Sequence, residues 1–92
     1  MDEVMKQFEN LFEAMAKLSS ADDVAKLLED LCTVKELADM SQRLEVARLL
    51  KEGKNYREIC ETTGASTATI CRVNKCLLYG KGGYNLVVGE KK

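Results

Sequence analysis

Residues 64–76, GASTATICRVNKC, place a glycine and a run of small and hydroxylated side chains ahead of Arg72, Asn74 and Lys75. That order suits contact with a nucleic acid. Small side chains let a helix approach the bases, alanine or a threonine methyl can touch a thymine methyl, and cations, amides and hydroxyls bond phosphate oxygens. Catalysis has less to work with. The chain has no histidine, no glycine-rich phosphate loop and no nucleophile beside a base, so an enzyme is not expected. Its four cysteines, at 32, 60, 71 and 76, form no C-x-x-C pair. Neither a metal site nor a cofactor is expected from them, and they read as small, mostly buried apolar residues in a reducing cytoplasm.

Charge points the same way as the opening stretch. The net charge of −1 hides an asymmetry: residues 1–53 carry 7 Lys/Arg against 12 Asp/Glu, and residues 54–92 carry 7 against 3. A local excess of cations draws phosphate even when the total is near neutral. No apolar run approaches the roughly 18 residues of a membrane span. The N-terminal MDEVMKQFENLF is acidic and amphipathic, unlike a signal peptide, so the expected location is cytoplasmic.

For residues 64–76 to act as one helix, neighbouring elements must hold it. Asn55 caps a short helix, YREICETT, with Glu58 in capping-box register. Gly64 and Ala65 break it, and Ser66 or Thr67 begins a second helix that stops near Gly80. Two short helices about one glycine form a helix-turn-helix over residues 55–78. Ile59 and Cys60 supply the apolar and small residues at the crossing, and Gly64 follows Ile59 by five. Ile70 and Val73 return apolar side chains to the angle between the helices. Thr63 departs from the pattern, since an apolar residue is usual there. The opposite face carries Thr67, Ala68 and Cys71 early, then Arg72, Asn74 and Lys75. A recognition helix offers its first residues to base edges. Arg57, on the preceding helix, is placed to reach guanine O6/N7 or a phosphate.

Composition completes an all-α reading, a small multi-helix domain over residues 1–92 with no proline and no tryptophan. Val4, Phe8, Leu11, Met15 and Leu18 recur at steps of 4, 3, 4 and 3, a seam able to pack on its own domain or on a second copy. Ser20 with Asp23 opens another helix, whose Val24, Leu27, Leu28 and Leu31 should face inward. Thr33 with Glu36 opens the next, with Leu37, Leu44, Ala47 and Leu49 or Leu50 on its buried side and Gly53 as its stop. Residues 1–53 thus form an N-terminal helical segment, expected to serve dimerisation if the seam packs on a second copy. In the tail, residues 81–92, the glycines oppose a long helix. YNLVV there is a short extended or helical plug expected to pack Tyr84, Leu86 and Val87 on the dimer, and the last residues are expected to be mobile.

LLKEGKNYREICETTGASTATICRVNKCL resembles the Trp repressor family, most closely its bacterial Trp-repressor-like YerC/YecD group. The resemblance covers residues 33–79 and is strongest at Arg57-Glu58-Ile59, Gly64-Ala65 and Ala68-Thr69-Ile70. It implies an intertwined all-helical homodimer that represses transcription by binding double-stranded DNA at a palindromic operator. The family's DNA-facing positions fall here on Tyr56, Arg57, Thr67, Ala68, Thr69, Cys71 and Asn74, and Ser66, Arg72 and Lys75 join them as DNA-binding candidates. The family's co-repressor site maps less closely. Arg72 matches one of its two arginines, and the other falls on Gln42, with Arg43 beside it. Val73 stands at a glycine position and Cys76 at a serine position. Val73 would crowd an indole and Cys76 is a poor acceptor for an ammonium, which argues against tryptophan and leaves another small effector, or none. The competing reading is a helix-turn-helix used only for protein contacts.

Overall fold

The computed structural model describes residues 2–89, and all the regular structure in them is helical. They fall into two compact units, one ending at Lys35 and the other beginning at Glu36.

The first unit holds α1 (Glu3–Lys6), α2 (Glu9–Ala16) and α3 (Ala21–Leu31). Asp2 caps α1, its Oδ1 accepting from Met5 N at 3.0 Å. The seam expected as one helix is divided between α1 and α2, and Leu18 lies past the end of α2. Hydrogen bonding explains the break. The Gln7 side-chain amide donates to the Val4 carbonyl at 2.8 Å, and Phe8 N turns instead to the Met5 carbonyl at 3.0 Å. The side chain has taken the acceptor that a continuing α-helix would have offered to Phe8. Ser20 caps α3 through Asp23 N, as its spacing predicts. None of the residues in these three helices is buried. Val24, Leu27 and Leu28 are half-buried, whereas Leu31, expected inside, is exposed.

The second unit is built on α4, Val34–Lys51, which crosses from the first. Its buried residues are Val46, Ala47 and Leu49, with Leu50 partly covered. Leu44, expected on this face, is exposed, and Leu37 is half-buried. Leu44 lies two residues from Val46, about 200° around the helix, so it falls off the buried arc. Gly53 N bonds the Leu50 carbonyl and Lys54 N the Leu49 carbonyl, a Schellman closure that turns the chain into the next helix.

Helices α5 (Tyr56–Thr63) and α6 (Thr67–Tyr79) form the helix-turn-helix. Asn55 and Glu58 make a full capping box at the start of α5. Gly64 ends it at φ 75°, ψ 4°, a left-handed conformation that costs a side-chain-bearing residue about 1–2 kcal/mol. Ile59 and Ile70 are wholly buried, Val73 nearly so, and they share a core with Val46, Ala47, Leu49, Ala65 and Val88. Thr63, the departure from the motif, fits because its side chain is bonded within the turn. Its hydroxyl donates to the Ile59 carbonyl at 2.7 Å and accepts from Ala65 N at 3.1 Å.

Past α6 the backbone closes on itself: a Cβ on Gly80 would lie 2.4 Å from the Cys76 carbonyl oxygen. The tail then forms α7, Gly83–Val87. Tyr84 packs on the core of its own chain, Leu86 and Val87 are exposed, and Val88 is the residue that inserts. A five-residue helix that is anchored through Tyr84 turns Leu86 and Val87 away from that contact. Lys51 Nζ donates to Asn85 Oδ1 at 2.5 Å, tying α7 to the end of α4. The expectation of mobile last residues concerns residues 90–92, which lie outside the described residues.

The junction around Gly64 should dominate stability. Ile70→Ala is expected to cost about 3 kcal/mol by cavity formation. Gly64→Ala should cost about 1 kcal/mol by forcing a side chain into the left-handed region. Urea denaturation followed by circular dichroism measures both.

Candidate nucleic-acid interface

Helix α6 is anchored on one side and open on the other. Ile70 and Val73 hold it to the core, while Thr67, Ala68, Cys71, Arg72 and Lys75 are exposed and Thr69 and Asn74 are half-buried. Ser66 is the N-cap: its Oγ accepts from Thr69 N and donates to Thr69 Oγ1, both at 3.1 Å. Those two hydroxyls are therefore engaged with each other and with the helix start. Thr67 and Ala68 carry amides that an α-helix leaves without intrahelical acceptors, at the end where its dipole favours a phosphate.

Helix α5 adds two of the candidates. Arg57 is exposed, with Nε 3.7 Å from Glu61 Oε2 one turn on. An ion pair so open to water holds little energy and exchanges readily for a phosphate or a base edge. Tyr56 is half-buried, packs against the core and reaches α6. Desolvation pushes its phenol above the ordinary value, the neighbouring Cys71 thiol acts in the same direction, and Asn74 opposes them. Tyr56, Cys71 and Asn74 are thus brought together across the two helices.

The effector candidates are divided. Arg72 and Cys76 line one shallow cleft of about 320 Å³ with Lys75, Tyr79 and Gly80. Gln42 and Arg43 do not line it. Gln42 donates through Nε2 to the Thr63 carbonyl at 3.1 Å, and Arg43 is half-buried on α4. Val73, read as crowding a ligand, is 1% exposed and fills the protein's own core. The Gln42–Thr63 bond escaped the sequence reading. The polar Thr63 at an apolar position was its one visible signal.

The cysteines also differ from expectation. Cys32 and Cys60 are partly buried, but Cys71, which lies on the outward face of α6, and Cys76, near the end of that helix, are exposed. All four are free thiols, and no cluster of potential metal ligands occurs among the described residues.

An all-helical chain with a buried glycine-turned helix pair and an outward second helix has the architecture of helix-turn-helix proteins. The Trp repressor protein family matches residues 6–92, and the chain belongs to that family. It is 42% identical over 87 residues to the uncharacterized protein YerC of Bacillus subtilis (strain 168), spanning 95% of this chain and 84% of that one. A crystal structure of a TrpR-like protein from Eubacterium eligens ATCC 27750 superposes with a TM-score of 0.86 at 44% identity, covering 94% of this chain and 91% of the other. A candidate Trp repressor from Staphylococcus aureus gives the same TM-score, 0.86, at 33% identity, over 99% of this chain and all of that one.

The environment of Tyr56 has a pH consequence. Its folded-state pKa is raised above the unfolded value near 10, so its contribution to stability is present below that value and is lost as pH rises through the higher folded one. Tyr56→Phe should flatten the alkaline fall in stability, read as urea midpoints between about pH 9 and 11.5.

Proposed function

We propose that the protein is a sequence-specific DNA-binding regulator of transcription, acting in the bacterial cytoplasm as a homodimeric repressor on a palindromic operator. The observation that carries this reading is the two-sidedness of α6: Ile70 and Val73 inward, with Thr67, Ala68, Cys71, Arg72 and Lys75 outward. Membership of the Trp repressor family supports it. None of the helices among the described residues is long and apolar enough to cross a membrane.

In this reading Thr67 and Ala68 enter the major groove, where an alanine or a threonine methyl meets a thymine methyl. Arg57 reads a base edge or anchors beside it, and Lys75, late on α6, lies against phosphates. Ser66 and Thr69 fix the helix start that approaches the backbone. Tyr56, beside Cys71 and Asn74, is a further DNA-facing residue in this reading. The homodimer is supported by the apolar side chains left open in the first unit: Val4, Met5, Phe8, Leu11 and Met15 are all exposed. Exposed apolar surface on that scale marks interaction sites. Tryptophan is not the effector in this reading, because Cys76 supplies a weak acceptor and the Gln42 amide is engaged with Thr63.

Sedimentation at micromolar concentration should return a dimer, and its two α6 helices should match half-sites about 34 Å apart. Duplexes enriched from a random pool should be palindromic. Their affinity should fall steeply with salt, with a log–log slope of several units, and should not respond to L-tryptophan. A shallow salt slope without enrichment is the result expected of a module that binds only protein.

The two cations should separate by role. Arg57→Ala should lower discrimination for the enriched site by about 1–3 kcal/mol. Lys75→Ala should weaken all duplexes alike and reduce the salt slope by about one phosphate contact. Fluorescence anisotropy across a salt series measures both.

A further inference from the structure

One hydrogen bond on the buried side of the helix-turn-helix joins it to α4. Gln42, half-buried and one turn before Val46, donates through Nε2 to the Thr63 carbonyl at 3.1 Å, across 21 residues of sequence. Thr63 is the last residue of α5, so its carbonyl is one of the four that an α-helix leaves without an intrahelical partner. The same residue's hydroxyl donates to the Ile59 carbonyl and accepts from Ala65 N. Thr63 therefore carries bonds to α4, to its own helix and to the turn that leads into α6. The other α4 residues that pack on this module, Val46, Ala47 and Leu49, make apolar contacts. Such contacts hold two bodies together but are non-directional, so they specify rotation between the bodies only through shape. A hydrogen bond with its donor on one body and its acceptor on the other resists that rotation.

We infer that Gln42 is a positioning residue whose amide fixes the angle of the helix-turn-helix on α4, and through it the presentation of α6 to DNA, without a ligand having to do so. The consequence for DNA rests on the function proposed above, but the orientation it sets does not. Gln42 makes this contact from the side of α5 where a partial negative charge gathers at the helix C-terminus, which suits an N–H donor and opposes a carboxylate.

The test uses the full chain and three substitutions. Gln42→Glu keeps the shape and replaces the donor with a carboxylate, Gln42→Met keeps the bulk with no donor, and Gln42→Lys keeps a donor. Affinity is measured for a duplex enriched by the wild-type protein and for a scrambled duplex of the same composition. Glu and Met should lower affinity for the enriched duplex about tenfold, as when one net hydrogen bond is lost at each of two half-sites. Affinity of Gln42→Met for the scrambled duplex should stay within about twofold, since phosphate attraction is largely indifferent to that angle, and Gln42→Glu is compared by the ratio of its two affinities, in which its added charge cancels. Lys should restore most of the ratio of the two affinities, a measure in which its added charge cancels. Equal losses on both duplexes, or no loss on the enriched one, would overturn the inference. If Glu prevents folding, Met carries the comparison alone. If the wild-type protein enriches no duplex, the DNA-binding reading fails by itself. Residual dipolar couplings then decide the Gln42 proposal: a changed orientation of α5 and α6 against α4 in Gln42→Met sustains it, and an unchanged one overturns it.

Discussion

The packing of Ile59 against Ile70 and Val73 across a left-handed Gly64 is the constraint on which the second unit depends. The three apolar residues come from two short helices, neither long enough to be stable alone in water. Fully burying each such side chain is worth about 1.5–3 kcal/mol, a large share of what keeps a small domain folded. The angle between the helices is set by where the chain can turn, and Gly64 permits the turn without strain. Once Ile70 and Val73 are inside, helix geometry alone decides which residues of α6 face out.

Polar groups finish what the apolar packing begins. Asn55 and Glu58 close the start of α5, Thr63 and Gln42 satisfy its end, and Ser66 closes the start of α6. Each satisfies main-chain groups that a short helix would otherwise leave open, and in helices of 8 and 13 residues such groups are a large fraction of the whole. The far side of α4 carries a different arrangement. Arg48 bonds Glu45, at 3.0 Å to Oε1 and 2.5 Å to Oε2, and also Glu52. Hydrogen bonding to Arg48 lowers the Glu45 carboxyl below its ordinary value, and that to Glu45 raises the guanidinium. This network is open to water and orders the surface of α4 more than it stabilises the fold.

The first unit shows the limit of what one chain buries. Asp2 caps α1 and Ser20 caps α3, yet none of the residues of its three helices is buried. An uncovered apolar face of this kind is open to a packing partner. The homodimer proposed above supplies such a partner, and the same need applies to Leu44 on α4 and to Leu86 and Val87 on α7.

What the sequence determined by itself was local. Caps at Ser20, Asn55 and Ser66, the stop at Gly53, the turn at Gly64 and the inward pair Ile70 and Val73 all follow from interactions between residues a few positions apart. Periodicity carries such information because it is written in steps of three and four. Tertiary structure decided what spacing leaves open. Leu31 had the right spacing and stayed exposed, because burial requires a neighbour and not only a face. Val88, not Leu86 or Val87, became the anchor of the tail once a five-residue helix had set its direction. The seam of the first helix broke when the Gln7 side chain competed for a carbonyl, a choice that apolar spacing does not record. Gln42 met Thr63 only after 21 residues of intervening chain had folded back, so its partner was legible in neither residue's surroundings.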